Sequence, residues 1–183
     1  MKIGCLGWGS LLWKPEPLRL AGPWREDGPE LAIEFCRVGD GGELATAICV
    51  NAPPVPVFWA PLEVDDLASA CAMLKEREQI PDHRSDGIGS LIVSPDATGA
   101  LCEWALASGL DALVWTALPP RFDDIENRVP SEREVLGYLG SLQGETLEHA
   151  RRYIEQVPLQ IQTPYRAAIA RSLGWERGRG TAT

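Results

Sequence analysis

The segment DDLASACAMLKEREQ, residues 65–79, places an acid where apolar side chains belong. At about 100° per residue, Leu67, Cys71 and Leu74 fall on one narrow helical stripe. Glu78 continues that stripe four residues beyond Leu74, with Lys75 and Arg77 flanking it and Glu76 on the opposite face. A carboxylate on the core side of a helix is costly unless it is paired or used. Desolvation there would raise its pKa and suit it to proton transfer near neutral pH. The same position also fits a structural carboxylate in a last turn, paired with Arg77, Arg84 or a strand residue. Periodicity leaves both readings open.

A second feature lies near the start, in KIGCLGWGSLLWKP, residues 2–15. A short apolar run meets Gly7-Trp8-Gly9-Ser10, then two leucines and a tryptophan. Glycines cost entropy and pack nothing in a strand, so they mark a bulge, a tight corner or a close approach to the backbone. The spacing fits neither the dinucleotide fingerprint nor the phosphate loop. A strand running into a turn with exposed N–H groups could hold a carboxylate or a developing oxyanion. A bulge or barrel corner is the plainer alternative. Ser10 has no histidine near it in sequence and no G-x-S-x-G setting, which argues against a serine nucleophile.

The elements that must carry these residues follow from pattern. Strands are expected over roughly 2–6, in LAIEFCRV and ELATAICV joined by Gly39-Asp40-Gly41-Gly42 as a hairpin, in VFWAPL, in GIGSLIVS and in DALVWTAL. Helices are expected from Asp65 to about Gln79 and in DATGALCEWALAS, the latter stopped by Gly109. Ser131 with Glu134 is a capping-box pattern that opens SEREVLGYLGSL. ETLEHARRYIEQV follows, with Leu147, Ala150, Ile154 and Val157 in register. Thr163 and Pro164 form a cap and first-turn pair for PYRAAIARSL, which Gly174 ends. The expected fold is α+β with a mostly antiparallel sheet, open or closed. One domain is expected over 1–175, with a loose tail at 176–183.

Composition narrows the function classes. The 183 residues carry a formal net charge of −9, so a phosphate backbone is a poor partner and no nucleic acid is expected. No apolar run approaches the roughly 20 residues of a membrane span, and no secretory leader pattern precedes the first strand. Cytoplasmic location and no membrane partner are the expectations. The five cysteines show no C-x-x-C spacing and read as buried free thiols. His83 and His149 are the only imidazoles, so no metal site is expected. Trp59, Trp104 and Trp115 read as core, and Trp8 as core or pocket edge.

These landmarks resemble a known family. LGWGSLLWKP is similar to the YGSL-[IL]-W-x-P opening of the gamma-glutamylcyclotransferase-like superfamily, nearest in pattern to its ChaC-like glutathione-degrading branch. LKEREQ resembles the family's helix end bearing Arg-Glu, and YIEQVPLQIQTPYRAAIARSLGW resembles its C-terminal segment. Residues from about Ile80 to Val129 match nothing in the pattern. The resemblance implies a small, mostly antiparallel closed β-barrel of about six strands surrounded by helices. It implies a cofactor-free release of 5-oxoproline from a gamma-glutamyl peptide or amine, by attack of the substrate's alpha-amine on its own gamma-carbonyl. It maps the catalytic acid to Glu78, the glutamyl-binding turn to Gly9, Ser10 and Leu11 with Trp8 beside them, and a substrate-facing tyrosine to Tyr165. Trp8 departs from the usual tyrosine, and an indole cannot accept a hydrogen bond. Arg37, Arg84, Arg121 and Arg128 are candidates to hold a substrate carboxylate, or are solvated surface cations. Two other functions stay open. One is a binding module for a small molecule or a protein on the same fold. The other is an amide-processing enzyme in which water or a second amine attacks.

Overall fold

The computed structural model describes residues 1–176. Its contacts separate into two compact units, each assembled from several chain segments. The first holds Met1–Gly7, Lys14–Glu30 and Pro56–Leu118; the second holds Trp8–Trp13, Leu31–Val55 and the chain from Pro119 onward. The loose tail read from residue 176 lies, from 177 on, outside the described residues.

In the first unit a four-stranded sheet is built around β1 (Ile3–Gly7). All five residues of β1 are buried, the mark of a strand covered on both faces. It pairs antiparallel with β5 (Phe58–Pro61) and parallel with β7 (Ala112–Thr116). β7 pairs antiparallel with β6 (Ile88–Ile92), so the order is β5-β1-β7-β6. Helices α1 (Leu67–Arg77) and α2 (Ala100–Ala107) belong to this unit, and α1 packs on β6 and β7. Ala70 and Leu74 are fully buried. A buried leucine of this kind contributes about 1.5–3 kcal/mol. Asp66, rather than the expected Asp65, caps α1 by accepting from the Ser69 N–H at 2.8 Å. α2 is shorter than expected because Gly99, at φ +126°, cannot continue a helix.

The second unit holds a sheet in the order β3 (Leu44–Ile48), β2 (Glu30–Val38), β8 (Arg121–Phe122) and β9 (Ile125–Glu126), with β4 (Pro54–Pro56) also on β2. β2 and β3 form the expected antiparallel hairpin, with an irregularity between Phe35 and Arg37. β8 joins β2 in parallel and turns through Asp123 and Asp124, at φ +50° and +60°, into β9. Two successive positive φ values are the mark of a tight hairpin turn. Helices α3 (Glu132–Ser141), α4 (Gly144–Gln156) and α5 (Pro164–Leu173) complete the unit. α3 packs on α5, and α4 on β3. Arg166 is buried in this unit. Its guanidinium donates to the carbonyls of Val157 at 2.6 Å, Pro158 at 2.7 Å, Ile161 at 2.9 Å and Ile154 at 3.4 Å.

The α+β class agrees with expectation, but a closed, mostly antiparallel barrel does not describe the chain. Both sheets are mixed, and neither hydrogen-bonded path closes: one ends at β5 and β6, the other at β3 and β9. The parallel pairs β1–β7 and β2–β8 join segments far apart in sequence, where local alternation carries no signal. Among the described residues no helix is long and apolar enough to cross a membrane.

α1 ends in a double closure. The Gln79 N–H reaches the Glu76 carbonyl at 3.1 Å, and the Ile80 N–H reaches the Lys75 carbonyl at 3.1 Å. Gln79 takes φ +54° to allow this, a conformation that favours glycine. Gln79→Gly is expected to stabilise the protein by roughly 0.5–1 kcal/mol, read as a higher urea midpoint at unchanged slope.

Candidate functional site

In the first unit, Glu78 caps the C-terminus of α1 in helical geometry (φ −81°, ψ −3°), and its N–H reaches the Leu74 carbonyl at 2.9 Å. The side chain therefore stays on the stripe of Leu74, as the periodicity predicts. It is 15% exposed, and the Arg77 guanidinium, 12% exposed, donates to its Oε1 at 3.2 Å. Arg77 also donates from Nε and Nη2 to the Lys14 carbonyl, at 2.9 and 2.8 Å. One guanidinium thus fixes the acid and ties the end of α1 to the Pro-rich segment after residue 14. The Cys5 thiol on β1 feels the charges of this pair. Burial pushes its pKa up, the Glu78 charge pushes it further, and Arg77 opposes both. Cys5 is accordingly a protonated thiol that donates to the Leu6 carbonyl at 3.5 Å. Cys36, Cys49 and Cys102 are likewise buried, and Cys71 is half-buried.

In the second unit, the turn that follows β1 in the chain forms a single 3-10 turn over Ser10–Leu12. The Leu12 N–H closes on the Gly9 carbonyl at 3.0 Å and the Trp13 N–H on the Ser10 carbonyl at 3.2 Å. Trp8, Gly9 and Leu11 are buried and Ser10 is half-buried. Two hydroxyls hold this turn. Thr46 Oγ1, from β3, donates to the Trp8 carbonyl at 3.3 Å and lies 3.1 Å from the Tyr153 hydroxyl of α4. That hydroxyl accepts the Thr46 N–H at 3.2 Å, and the Tyr153 ring meets Trp13 edge-on at 5.3 Å. Gly9 has an ordinary φ of −144°, so the reason for glycine is space. A Cβ there would stand 2.5 Å from Thr46 Oγ1 and 2.6 Å from the Tyr153 hydroxyl.

Tyr153 was not among the expected site residues, although its position, three beyond Ala150, lies on the apolar face of α4. Tyr165, which was, has its hydroxyl on the Pro130 carbonyl at 2.7 Å, and burial pushes its pKa up. Its N–H donates to Oε2 of Glu34 at 3.3 Å. Glu34 is a buried carboxylate at the start of α5, where Thr163 caps the helix, and its Oε1 accepts the Phe35 N–H at 2.8 Å. The four candidate arginines all engage carboxylates: Arg37 with Glu126, Arg84 with Asp86, Arg121 with Asp40, Asp124 and Glu126, and Arg128 with Asp123 and Glu134. Trp59 is buried and Trp104 and Trp115 are half-buried.

Comparison of the chain with protein-family models, with curated proteins and with solved structures finds no match.

Gly9→Ala is expected to cost about 1–3 kcal/mol through overpacking. Combining it with Thr46→Ala should recover part of that loss, measured by urea unfolding of the single and double variants. Glu34 supplies a pH test. Burial raises its pKa above the ordinary 4.5, against the bonds from Thr163, Phe35 and Tyr165. The folded state thus binds this proton more tightly than the unfolded state does. Its contribution is full below about pH 4.5 and is lost as pH rises through the raised value. Stability of the wild type relative to Glu34→Gln should therefore fall as pH climbs above 4.5, and a flat difference would contradict this.

Proposed function

We propose that the chain is a gamma-glutamyl cyclotransferase that releases 5-oxoproline from a gamma-glutamyl peptide or amine. The observation that carries this is Glu78: a shielded carboxylate on a helix end, held in one orientation by Arg77, in the sequence context LKEREQ. In the proposed reaction the substrate's alpha-amine nitrogen attacks its own gamma-carbonyl carbon. The C–N bond to the leaving amine breaks and a five-membered lactam forms. Glu78 takes the proton from the attacking amine and returns it to the leaving nitrogen. The reaction is intramolecular, so binding the substrate in its bent conformer supplies much of the rate.

The backbone amides of Gly9, Ser10 and Leu11 are proposed to orient the glutamyl part and steady the oxyanion. Two features of the turn support that role: its main chain is held by Thr46, and glycine is required at position 9. Trp8 would contribute through its carbonyl and buried ring rather than through a hydroxyl. Tyr165 could join the substrate only by giving up its bond to Pro130, whereas the Tyr153 hydroxyl already stands beside Gly9. Tyr153 is therefore the tyrosine we assign to the turn.

The test is incubation with glutathione, gamma-glutamyl dipeptides and gamma-glutamyl amines, with 5-oxoproline measured by mass spectrometry. Glu78→Gln is expected to lower its release by roughly 10²–10⁴-fold with an unchanged circular dichroism spectrum. Wild-type rates in that variant would remove Glu78 from the chemistry. Glutamate or a transferred glutamyl group as product would point to attack by water or a second amine. Thermal stabilisation by these compounds without turnover would point to a binding module.

A further inference from the structure

We propose that the first unit carries a separate site for a small organic carboxylate with an apolar body, in a cleft at the start of β1. The cleft has a volume of about 430 Å³, within the usual range for small-molecule sites. Its floor is apolar: Ile3, Trp59, Leu62 and Leu110 all line it, and each is at most 6% exposed. Its rim is cationic, formed by Lys2 and Arg25.

Arg25 is fixed rather than free to swing. Its backbone exchanges two hydrogen bonds with Trp59, at 2.7 and 3.1 Å, and its guanidinium rests on the Trp59 ring, 4.6 Å from the centroid. A cation on an aromatic face keeps its N–H edge directed away from the ring. Two neighbouring acids have other duties. Asp27 Oδ1 accepts the Trp59 indole N–H at 2.9 Å, and Asp111 Oδ2 accepts the backbone N–H of Lys2 at 2.6 Å. Among the described residues, neither the Arg25 guanidinium nor the Lys2 ammonium has a carboxylate within ion-pair distance. In a chain with 26 acidic and 17 basic side chains, such partners are plentiful elsewhere. The C-terminus of α2 also borders the cleft at Ser108, and its dipole disfavours an anion. That end carries only about half a charge against two full cations.

The chemistry selects the ligand. A planar guanidinium matches a carboxylate edge, and a second cation beside it adds charge without geometry. Four apolar floor residues give nothing to a bare anion, whereas they bury the body of an organic acid. An amine would meet two like charges.

The experiment is a two-dimensional NMR titration of the intact protein with phenylacetate, phenylacetamide, phenethylamine and inorganic phosphate. Phenylacetate is expected to give saturable shifts centred on Arg25, the Trp59 indole N–H and Leu110, with affinity falling as salt rises. Phenylacetamide, phenethylamine and phosphate should each bind at least tenfold more weakly. Arg25→Gln and Lys2→Gln alter exposed side chains, so the rest of the spectrum should stay unchanged while phenylacetate affinity drops about tenfold or more in the Arg25 variant. Equal binding of the amide or of phosphate, unchanged affinity in Arg25→Gln, or shifts that do not saturate would each overturn the proposal. None of these outcomes depends on whether the protein releases 5-oxoproline.

Discussion

A carboxylate that is only 15% exposed cannot stand on its own, and in the first unit much follows from how Glu78 is held. Its counter-charge is the neighbouring Arg77, and a shielded ion pair is worth keeping only where its remaining donors are satisfied. Arg77 meets that condition by placing two of its N–H groups on the Lys14 carbonyl. The double closure at Gln79 and Ile80 keeps the last turn of α1 wound, so the acid stays on the face of Leu74 and acts on Cys5 in β1. Removing any one of these contacts would leave a charge or a carbonyl less well satisfied in a shielded place.

The second unit solves a different problem, the support of irregular backbone. Its turn at Trp8–Leu12 has little regular hydrogen bonding, and two hydroxyls from β3 and α4 hold it instead. Further along the chain, Arg166 gathers carbonyls from the end of α4 and from the loop before α5. A cation at a helix C-terminus also complements the helix dipole. At the start of α5 the arrangement reverses: a buried acid, Glu34, takes the Tyr165 N–H, and Thr163 takes that of Arg166. The tight packing around Gly9 is a consequence of the same economy, since both supporting hydroxyls need the space a side chain would fill.

Much of the local structure was legible before any coordinates. The Ser131–Glu134 capping box makes both of its bonds, Thr163 and Pro164 open α5, and Gly174 closes it at φ +73°. The stripe through Leu74 placed Glu78 on the shielded side. What escaped was of two kinds. β4, β8 and β9 are two or three residues long, too short for alternation to register. The parallel pairings carry no local mark at all, and they replaced the expected closed barrel with two mixed sheets. Tyr153 had a visible signal, its place on the apolar face of α4, but nothing in sequence tied it to Gly9.

The chain by itself determined the caps of α3 and α5, which strands form the hairpin, and which acid lies on an apolar stripe. Each of these depends on residues within a few positions of one another, where propensity, capping and periodicity operate. Only the tertiary structure decided that Arg77 shares itself between Glu78 and Lys14, that Tyr153 and Thr46 crowd Gly9, and that Tyr165 is committed to Pro130. Those contacts join residues up to 144 positions apart, as for Gly9 and Tyr153. They become favourable only after the intervening chain has paid its closure entropy, which no short window of sequence records.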